Sequence, residues 1–180
     1  MDFRIQAGAP RVTGQFDEED ENLAEAIETI FPLYTEDAIL VWKNIYIPLS
    51  YKYEISIMTW DLLDMLEKLR KHSSGEWKIQ WASDSFRNSW YLRWEEDTLT
   101  INAEWGSVIG NTENQLKEKR EIKVPILAFT AEWRKLLGNL ITGLQKSGYT
   151  EERLPGMDRL IHEYHTIPFD GILYAKPHHQ

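Results

Sequence analysis

The feature that most constrains the fold of this chain is a set of three consecutive runs in which apolar and polar residues alternate. The runs are Trp77–Trp81, Trp90–Trp94 and Leu99–Trp105, and tryptophan recurs at their apolar positions. A period of two places successive side chains on opposite faces of a strand, so each run predicts a strand with one buried face. The short link Glu95–Thr98 predicts a hairpin between the last two strands. The polar, serine-rich link Ala82–Ser89 predicts a longer loop between the first two.

Amphipathic helices are predicted on both sides of these strands. Apolar residues recur at helical spacing from Leu23 to Phe31, from Thr59 to His72 with Thr59 as the N-cap, and over Leu127–Lys146. A shorter helix is predicted over Leu154–Tyr164. Helices at both ends with strands grouped between them predict an α+β fold. We expect an antiparallel β-meander whose Trp-rich face is packed by the amphipathic helices.

The remaining segments complete one predicted domain over residues 1–180, a length that suits a single core. Residues 1–37 are interpreted as an acidic amino-terminal arm and helix, residues 38–175 as the α+β body, and residues 176–180 as a frayed tail. Within these regions the pattern predicts an extended arm or edge strand in Met1–Gln15 and β structure over Ala38–Leu49. It also predicts a fourth strand over Glu121–Ile126 and a last apolar piece over Gly171–Ala175.

Several classes of protein are disfavoured by the composition. The chain contains no Cys, which removes disulfides, thiolate metal sites and cysteine nucleophiles. The segment Met1–Pro10 has no apolar centre of the kind that a signal peptide needs, and the sequence has no run of about 18 apolar residues. These features predict a soluble, cytoplasmic protein without a membrane partner. A nucleic-acid partner is disfavoured because 29 acids outnumber 20 bases.

The acidic residues are concentrated near the amino terminus. Residues 1–40 hold ten acids and two bases, a net charge of −8, whereas the whole chain carries −9. We interpret this region as a docking surface for a basic protein partner, because complementary charge speeds association and disfavours wrong partners. The alternative is that the acids merely solvate a helix start, where the helix dipole favours negative charge. The side chains of the predicted docking surface are Asp17, Glu18, Glu19, Asp20, Glu21, Glu25 and Glu28.

A second hypothesis places a small-ligand site, or the site of a hydrolytic enzyme, on the sheet. Polar loops between strands often carry binding residues, although turn chemistry explains the serines of the Ser83–Ser89 link equally well. Glu95 and Glu104 fall on the polar side of adjacent strands, where two carboxylates could act as acid and base if burial raised one pKa. A solvated sheet face is the competing interpretation. The residues of this alternative site are Ser83, Asp84, Ser85, Arg87, Arg93, Glu95 and Glu104.

No metal or cofactor site is predicted. His162 and His165 are spaced i, i+3, whereas the zinc-protease helix needs i, i+4. The Gly106–Gly110 pairing lacks the Lys and Ser/Thr of a phosphate-binding loop. The sequence also lacks the Gly-x-Ser-x-Gly turn of a serine nucleophile. The sequence therefore favours a protein without catalytic activity but leaves enzymatic activity open, and it leaves the oligomeric state open as well.

Three stretches carry a resemblance to a known family. They are Ile47-Pro48-Leu49-Ser50-Tyr51-Lys52-Tyr53, the segment Ser89–Val108 and the helix start Ala131-Glu132-Trp133. Over residues 38–175 the chain resembles the immunity proteins of bacterial polymorphic toxin systems. The resemblance implies a cytoplasmic, non-enzymatic protein that protects its producer by occluding a cognate toxin. It assigns no functional residue.

Overall fold

The computed structural model describes residues 1–168, which form two antiparallel sheets, five α-helices and one π-helical turn. In chain order the elements are β1 (Phe3–Gln6), α1 (Leu23–Ile30), β2 (Ala38–Trp42), β3 (Ile45–Leu49), the π-helical turn (Tyr51–Ile55), α2 (Ser56–Lys71), β4 (Ser74–Ser83), β5 (Phe86–Glu95), β6 (Thr98–Val108), α3 (Glu113–Lys117), β7 (Glu121–Pro125), α4 (Ile126–Lys146) and α5 (Met157–Thr166). The predicted α+β class is confirmed. The predicted apolar piece Gly171–Ala175 and the tail 176–180 lie outside the described residues.

The predicted meander forms a four-stranded sheet with the order β4-β5-β6-β7. Its alternation is confirmed residue by residue, since Trp90 and Trp94 of β5 are buried while Tyr91 and Arg93 between them are exposed. The β5–β6 hairpin turns at Glu96, whose φ of 54° is a left-handed value. The fourth strand is also confirmed as β7, an edge strand that tolerates a terminal proline.

The longer loop predicted over Ala82–Ser89 is wrong. β4 continues to Ser83 and β5 resumes at Phe86, so a two-residue turn of Asp84 and Ser85 joins them. The strands extend this far because Phe86 is buried and contacts Trp81 on the inner face, with ring centroids 6.2 Å apart. Asp and Ser fit the turn because their side chains readily bond nearby backbone.

A second sheet, which the sequence pattern did not reveal, has the order β1-β2-β3. The predicted β structure over Ala38–Leu49 divides at Lys43 and Asn44, whose φ values of 46° and 66° match a tight hairpin turn. β1 pairs with β2 and lies at the sheet edge, which agrees with the edge strand predicted near the amino terminus.

A cluster of aromatic rings joins the two sheets. Trp42 of β2 lies 5.4 Å from Trp90 of β5, measured between ring centroids. Phe3 of β1 lies 6.2 Å from Trp90 and 4.6 Å from Phe129 of α4, so it links the helix to the Trp-rich face. The predicted packing of helices on this face therefore involves a strand from the amino-terminal portion, which shares the core with the rest of the described chain.

The start of α2 differs from the prediction. The helix begins at Ser56, directly after the π-helical turn, and Thr59 lies within it rather than capping it. The hydroxyl of Thr59 donates to the carbonyl of Ile55 at 2.7 Å, the back-bonding that threonine makes inside a helix. The long helix predicted from Leu127 is confirmed as α4, whereas α5 begins three residues later than expected.

Candidate functional site

The acidic segment, defined here as residues 17–28, is an ordered loop followed by most of α1. The side chain of Asn22 caps α1 by accepting a hydrogen bond from the backbone N–H of Glu25 at 3.0 Å. In return, Glu25 Oε2 accepts from the backbone N–H of Glu21 at 2.7 Å. This reciprocal arrangement is a variant of the capping box, and it fixes the direction in which the chain enters the helix.

Tyr149, which follows α4, holds the loop that precedes α1. Its buried hydroxyl donates to the carboxylate of Asp20 and accepts from the backbone N–H of Asp17 at 3.1 Å. The Tyr149 ring also contacts that of Phe16, with centroids 4.7 Å apart. Burial and then the hydrogen bond to Asp20 raise the pKa of Tyr149 to about 12, so the hydroxyl remains a donor at neutral pH.

The seven acidic side chains predicted to meet a partner divide into two groups. Three are engaged within the chain: Asp20 and Glu25 as described above, and Asp17, whose Oδ1 accepts from the backbone N–H of Glu19 at 2.9 Å. The other four are exposed, and none takes part in the ion pairs found within residues 1–168. These four are Glu18, Glu19, Glu21 and Glu28.

α1 lies beside the π-helical turn and α2. Toward the carboxyl end of α1, Lys52 Nζ donates to the carbonyl of Glu28 at 2.7 Å. At its amino end, Leu23 and Trp60 both lie against Gly156, where an added Cβ would be 3.1 Å from Leu23 Cδ1 and 2.6 Å from Trp60 Cη2. The two contacts place α1 alongside the π-helical turn and the start of α2 and antiparallel to them.

The serines of the alternative ligand site are joined to a buried carboxylate. Ser85 Oγ donates to Glu54 Oε1 at 2.6 Å and lies 3.0 Å from the buried Ser83 Oγ. The other carboxylate oxygen of Glu54 accepts from the backbone N–H of Ser50 at 2.9 Å. This network ties the β4–β5 turn to the π-helical turn, which is a structural role. Glu54 was not singled out from the sequence, because a capping box places the acid three residues after the serine, whereas Glu54 lies four residues after Ser50.

The arginines of that site form ion pairs on the opposite, solvent-facing side of the sheet. Arg87 pairs with Asp84, and both side chains are well exposed. Arg93 Nε lies 3.4 Å from Glu76 Oε1 on the neighbouring strand. Arg93 and Glu76 line an open concavity of about 820 Å³ at the end of the β5–β6 hairpin. Exposed ion pairs of this kind contribute little to stability, about 0–1 kcal/mol.

Glu95 and Glu104 do not form a pair. Glu95 lies opposite Thr98, whereas Glu104 lies opposite Ser89, six residues further along the same strand ladder. At the rise of a β-strand this separation is about 20 Å. Two carboxylates that divide acid and base roles at one bond lie within about 10 Å. The structure therefore does not bring the seven residues of the alternative site together.

His162 and His165 of α5 lie on either side of Glu163, which is already bonded to an arginine. Glu163 is buried and accepts a hydrogen bond from Arg70 Nη2 at 2.6 Å, which ties α5 to α2. Across residues 1–168 no group of three or more His, Asp or Glu side chains is arranged to hold a metal ion.

In the same part of the chain no helix combines the length and apolarity needed to cross a bilayer.

Comparison with known proteins gives no relative on which to base a function: no family model matches the sequence, and no curated protein or solved structure shows significant similarity to it. The arrangement of the acidic segment is therefore the main basis for a functional proposal.

Proposed function

We propose that this protein is a non-catalytic, immunity-type protein that acts in the cytoplasm of its producer and neutralises a basic toxin domain by binding it through the acidic segment. The observation that carries the proposal is the anchoring of the acidic loop by Tyr149. Charges on an anchored loop have defined positions, so a partner can match them without first ordering a flexible tail.

The simpler explanation, in which the acids only solvate a helix start, accounts for part of the segment. Glu25 lies in the first turn of α1, where the helix dipole favours it. Glu28 lies near the carboxyl end of α1, where the same dipole disfavours a negative charge. Glu18, Glu19 and Glu21 precede the helix, and their side chains do not cap it, since the capping side chain is that of Asn22. These four acids are the ones we assign to partner binding.

A growth assay tests the proposal. We expect the gene beside that of this chain to encode a secreted protein with a variable carboxy-terminal domain. That domain, the neighbouring toxin domain, is the probe, and it is expressed in cells with and without the chain. One variant carries Glu18→Lys, Glu19→Lys and Glu21→Lys. A control variant with the same change in net charge carries Glu95→Lys, Glu104→Lys and Glu121→Lys, three exposed positions on the four-stranded sheet.

We expect the unmodified chain and the control variant to protect growth, and the acidic-segment variant to lose protection, because a cationic partner is then repelled. Loss of protection by the control variant alone would place the interface on the sheet face instead. The proposal is wrong if the unmodified chain neither protects cells nor binds the neighbouring domain.

A further inference from the structure

A row of exposed apolar side chains runs along the outer side of the π-helical turn and α2. Tyr53, Ile57 and Trp60 are spaced i, i+4 and i+7 and are 43%, 47% and 37% exposed. We call these three residues the α2 ridge. The opposite side of α2 already buries an apolar stripe in the core, so the ridge is a second one. The outer face of a surface helix is ordinarily polar, which makes this stripe unusual.

The shape of the ridge is fixed at both ends. At its start the backbone N–H of Ile55 donates to the carbonyl of Ser50 at 3.0 Å, the i to i−5 bond of a π-helix. Such turns are rare and occur frequently at functional sites. At its other end the Trp60 ring lies against Gly156, and the guanidinium carbon of Arg159 is 5.7 Å from the ring centroid.

Acidic side chains flank the ridge. α1, with exposed Glu28 on it and exposed Glu21 just before it, runs along one side: Lys52 bonds to the carbonyl of Glu28, and Leu23 lies against Gly156, as Trp60 does. Asp61, half-buried on α2 one turn beyond Ile57, adds a further carboxylate. Burial and the nearby charge of Asp64 raise the pKa of Asp61. A Lys or Arg of a partner beside Asp61 would therefore stabilise its ionised form.

Two cations of the chain that lie near the ridge, Lys52 and Arg159, are already engaged. Lys52 Nζ is bonded to backbone carbonyls at the end of α1. Arg159 Nη2 is bonded to Asp64 at 2.6 Å and to Glu67 at 2.7 Å. Hydrogen bonds from Lys71 and Arg159 lower the pKa of Glu67 to about 2, so the negative charge of Glu67 is already balanced by cations of the same chain. The carboxylates along α1 form none of the ion pairs found within residues 1–168, so no cation of that part of the chain is paired with them.

From this juxtaposition we infer that the α2 ridge is the apolar centre of the partner-binding surface and that the exposed acids of α1 and the loop before it form its rim. The partner is a folded protein that presents an apolar side chain surrounded by Lys and Arg. This inference rests on the proposed function. Interfaces that bind tightly have this composition, with tyrosine and tryptophan anchors at the centre and charge at the rim.

The test separates the ridge from the rim by kinetics, with the neighbouring toxin domain as the probe. Ile57→Ser removes the central apolar side chain of the ridge without changing a charge, and Ile57 is not among the buried residues of the core. Tyr46→Ser, on the exposed side of β3, is the matched control because Tyr46 is even more exposed, at 59%. Thermal unfolding of both variants is measured first, and we expect both melting temperatures to match that of the unmodified chain closely, because surface substitutions of this kind change stability little.

We expect Ile57→Ser to speed dissociation about tenfold while the association rate constant stays within about twofold, since central contacts act mainly on dissociation. Tyr46→Ser should leave both rate constants unchanged. Unchanged dissociation for Ile57→Ser, together with slowed association for the acidic-segment variant, would overturn the inference and leave the proposed function standing. Absence of binding by the unmodified chain would overturn both.

Self-association is the remaining outcome that contradicts the inference. If light scattering shows the chain alone as a dimer, and Ile57→Ser converts it to a monomer while Tyr46→Ser does not, the ridge is covered by a second copy. In that case it does not receive a cationic partner.

Discussion

The hydroxyl of Tyr149 donates a hydrogen bond to the carboxylate of Asp20, a residue 129 positions earlier in the chain. The same hydroxyl accepts from the backbone N–H of Asp17. The acidic loop before α1 is therefore held by a residue that follows α4, the longest of the helices described in residues 1–168. This contact makes the acidic segment part of the folded surface.

Replacing Tyr149 by Phe should release the loop while leaving the core intact. The ring and its contact with Phe16 remain, but the hydrogen bonds to Asp17 and Asp20 are lost. We expect the free energy of unfolding to fall by about 1–2 kcal/mol. We also expect the amides of Asp17 and Glu19 to exchange with solvent faster. Hydrogen exchange followed by NMR measures this, with Tyr91→Phe on the exposed sheet face as the control. Unchanged exchange at Asp17 would contradict the anchoring role.

Stability should fall at alkaline pH because two buried tyrosines resist ionisation. Burial raises the pKa of Tyr51 to about 12, and burial with the Asp20 hydrogen bond raises that of Tyr149 to about 12. Both values lie above the unfolded pKa of about 10. This contribution is therefore fully present below pH 10 and is lost as the pH rises toward 12. Urea unfolding at several pH values measures the slope, which should be smaller for Tyr149→Phe; equal slopes would contradict the assignment.

The ridge should be sensitive to a methyl group at Gly156. An alanine there is strained by a φ of 91°, and its Cβ would lie 2.6 Å from the Trp60 ring. Gly110→Ala is the matched control, because its φ is 104° and its Cβ would meet nothing within 4 Å. We expect both to lose about 1–2 kcal/mol from backbone strain. Gly156→Ala should lose about 1 kcal/mol more through the collision.

The indole resonance of Trp60 distinguishes the two glycine variants. It should shift in Gly156→Ala and remain in place in Gly110→Ala, because the collision alone displaces the ring. Equal losses of stability with an unmoved Trp60 resonance would show that Gly156 does not position the ridge.

Trp90 should be among the most costly residues to truncate. Its ring lies within 6.5 Å of those of Phe3, Trp42, Trp81 and Trp105, measured between centroids. We expect Trp90→Ala to lower the free energy of unfolding by about 3–5 kcal/mol, because it opens a cavity between the two sheets. Urea denaturation compares it with the exposed neighbour, Tyr91→Ala, whose loss should be below about 1 kcal/mol. Similar losses would contradict the two-sheet core.

The four-stranded sheet could be predicted from the sequence because its signal is local. Alternation from Trp90 to Trp94 sets the buried face of β5 whatever lies elsewhere in the chain. The three-stranded sheet has no comparable signal, because β1 pairs with β2 across more than thirty intervening residues. Its hairpin turn at Lys43-Asn44 also lacks the glycine that marks most such turns.

Only part of the candidate site could be predicted from the sequence. The run Asp17–Glu21 is plain in the sequence, but its anchor, Tyr149, lies in the other half of the chain. The ridge could not be predicted, because the spacing of Tyr53, Ile57 and Trp60 is the same spacing that marks a buried helix face. Which of two apolar stripes on one helix faces the core depends on the packing of α1 and β4, and that packing is a tertiary property.

The dependence of the association rate constant on ionic strength tests the central claim most directly. The measurement mixes the chain with the neighbouring toxin domain in a stopped-flow instrument, from about 0.02 M to about 0.5 M NaCl, where the Debye length falls from roughly 20 Å to roughly 4 Å. We expect the constant to fall at least about tenfold for the unmodified chain and far less for the variant with Glu18, Glu19 and Glu21 reversed to Lys. A rate constant that is indifferent both to salt and to the charge reversal would contradict the claim that the acidic segment is the docking surface.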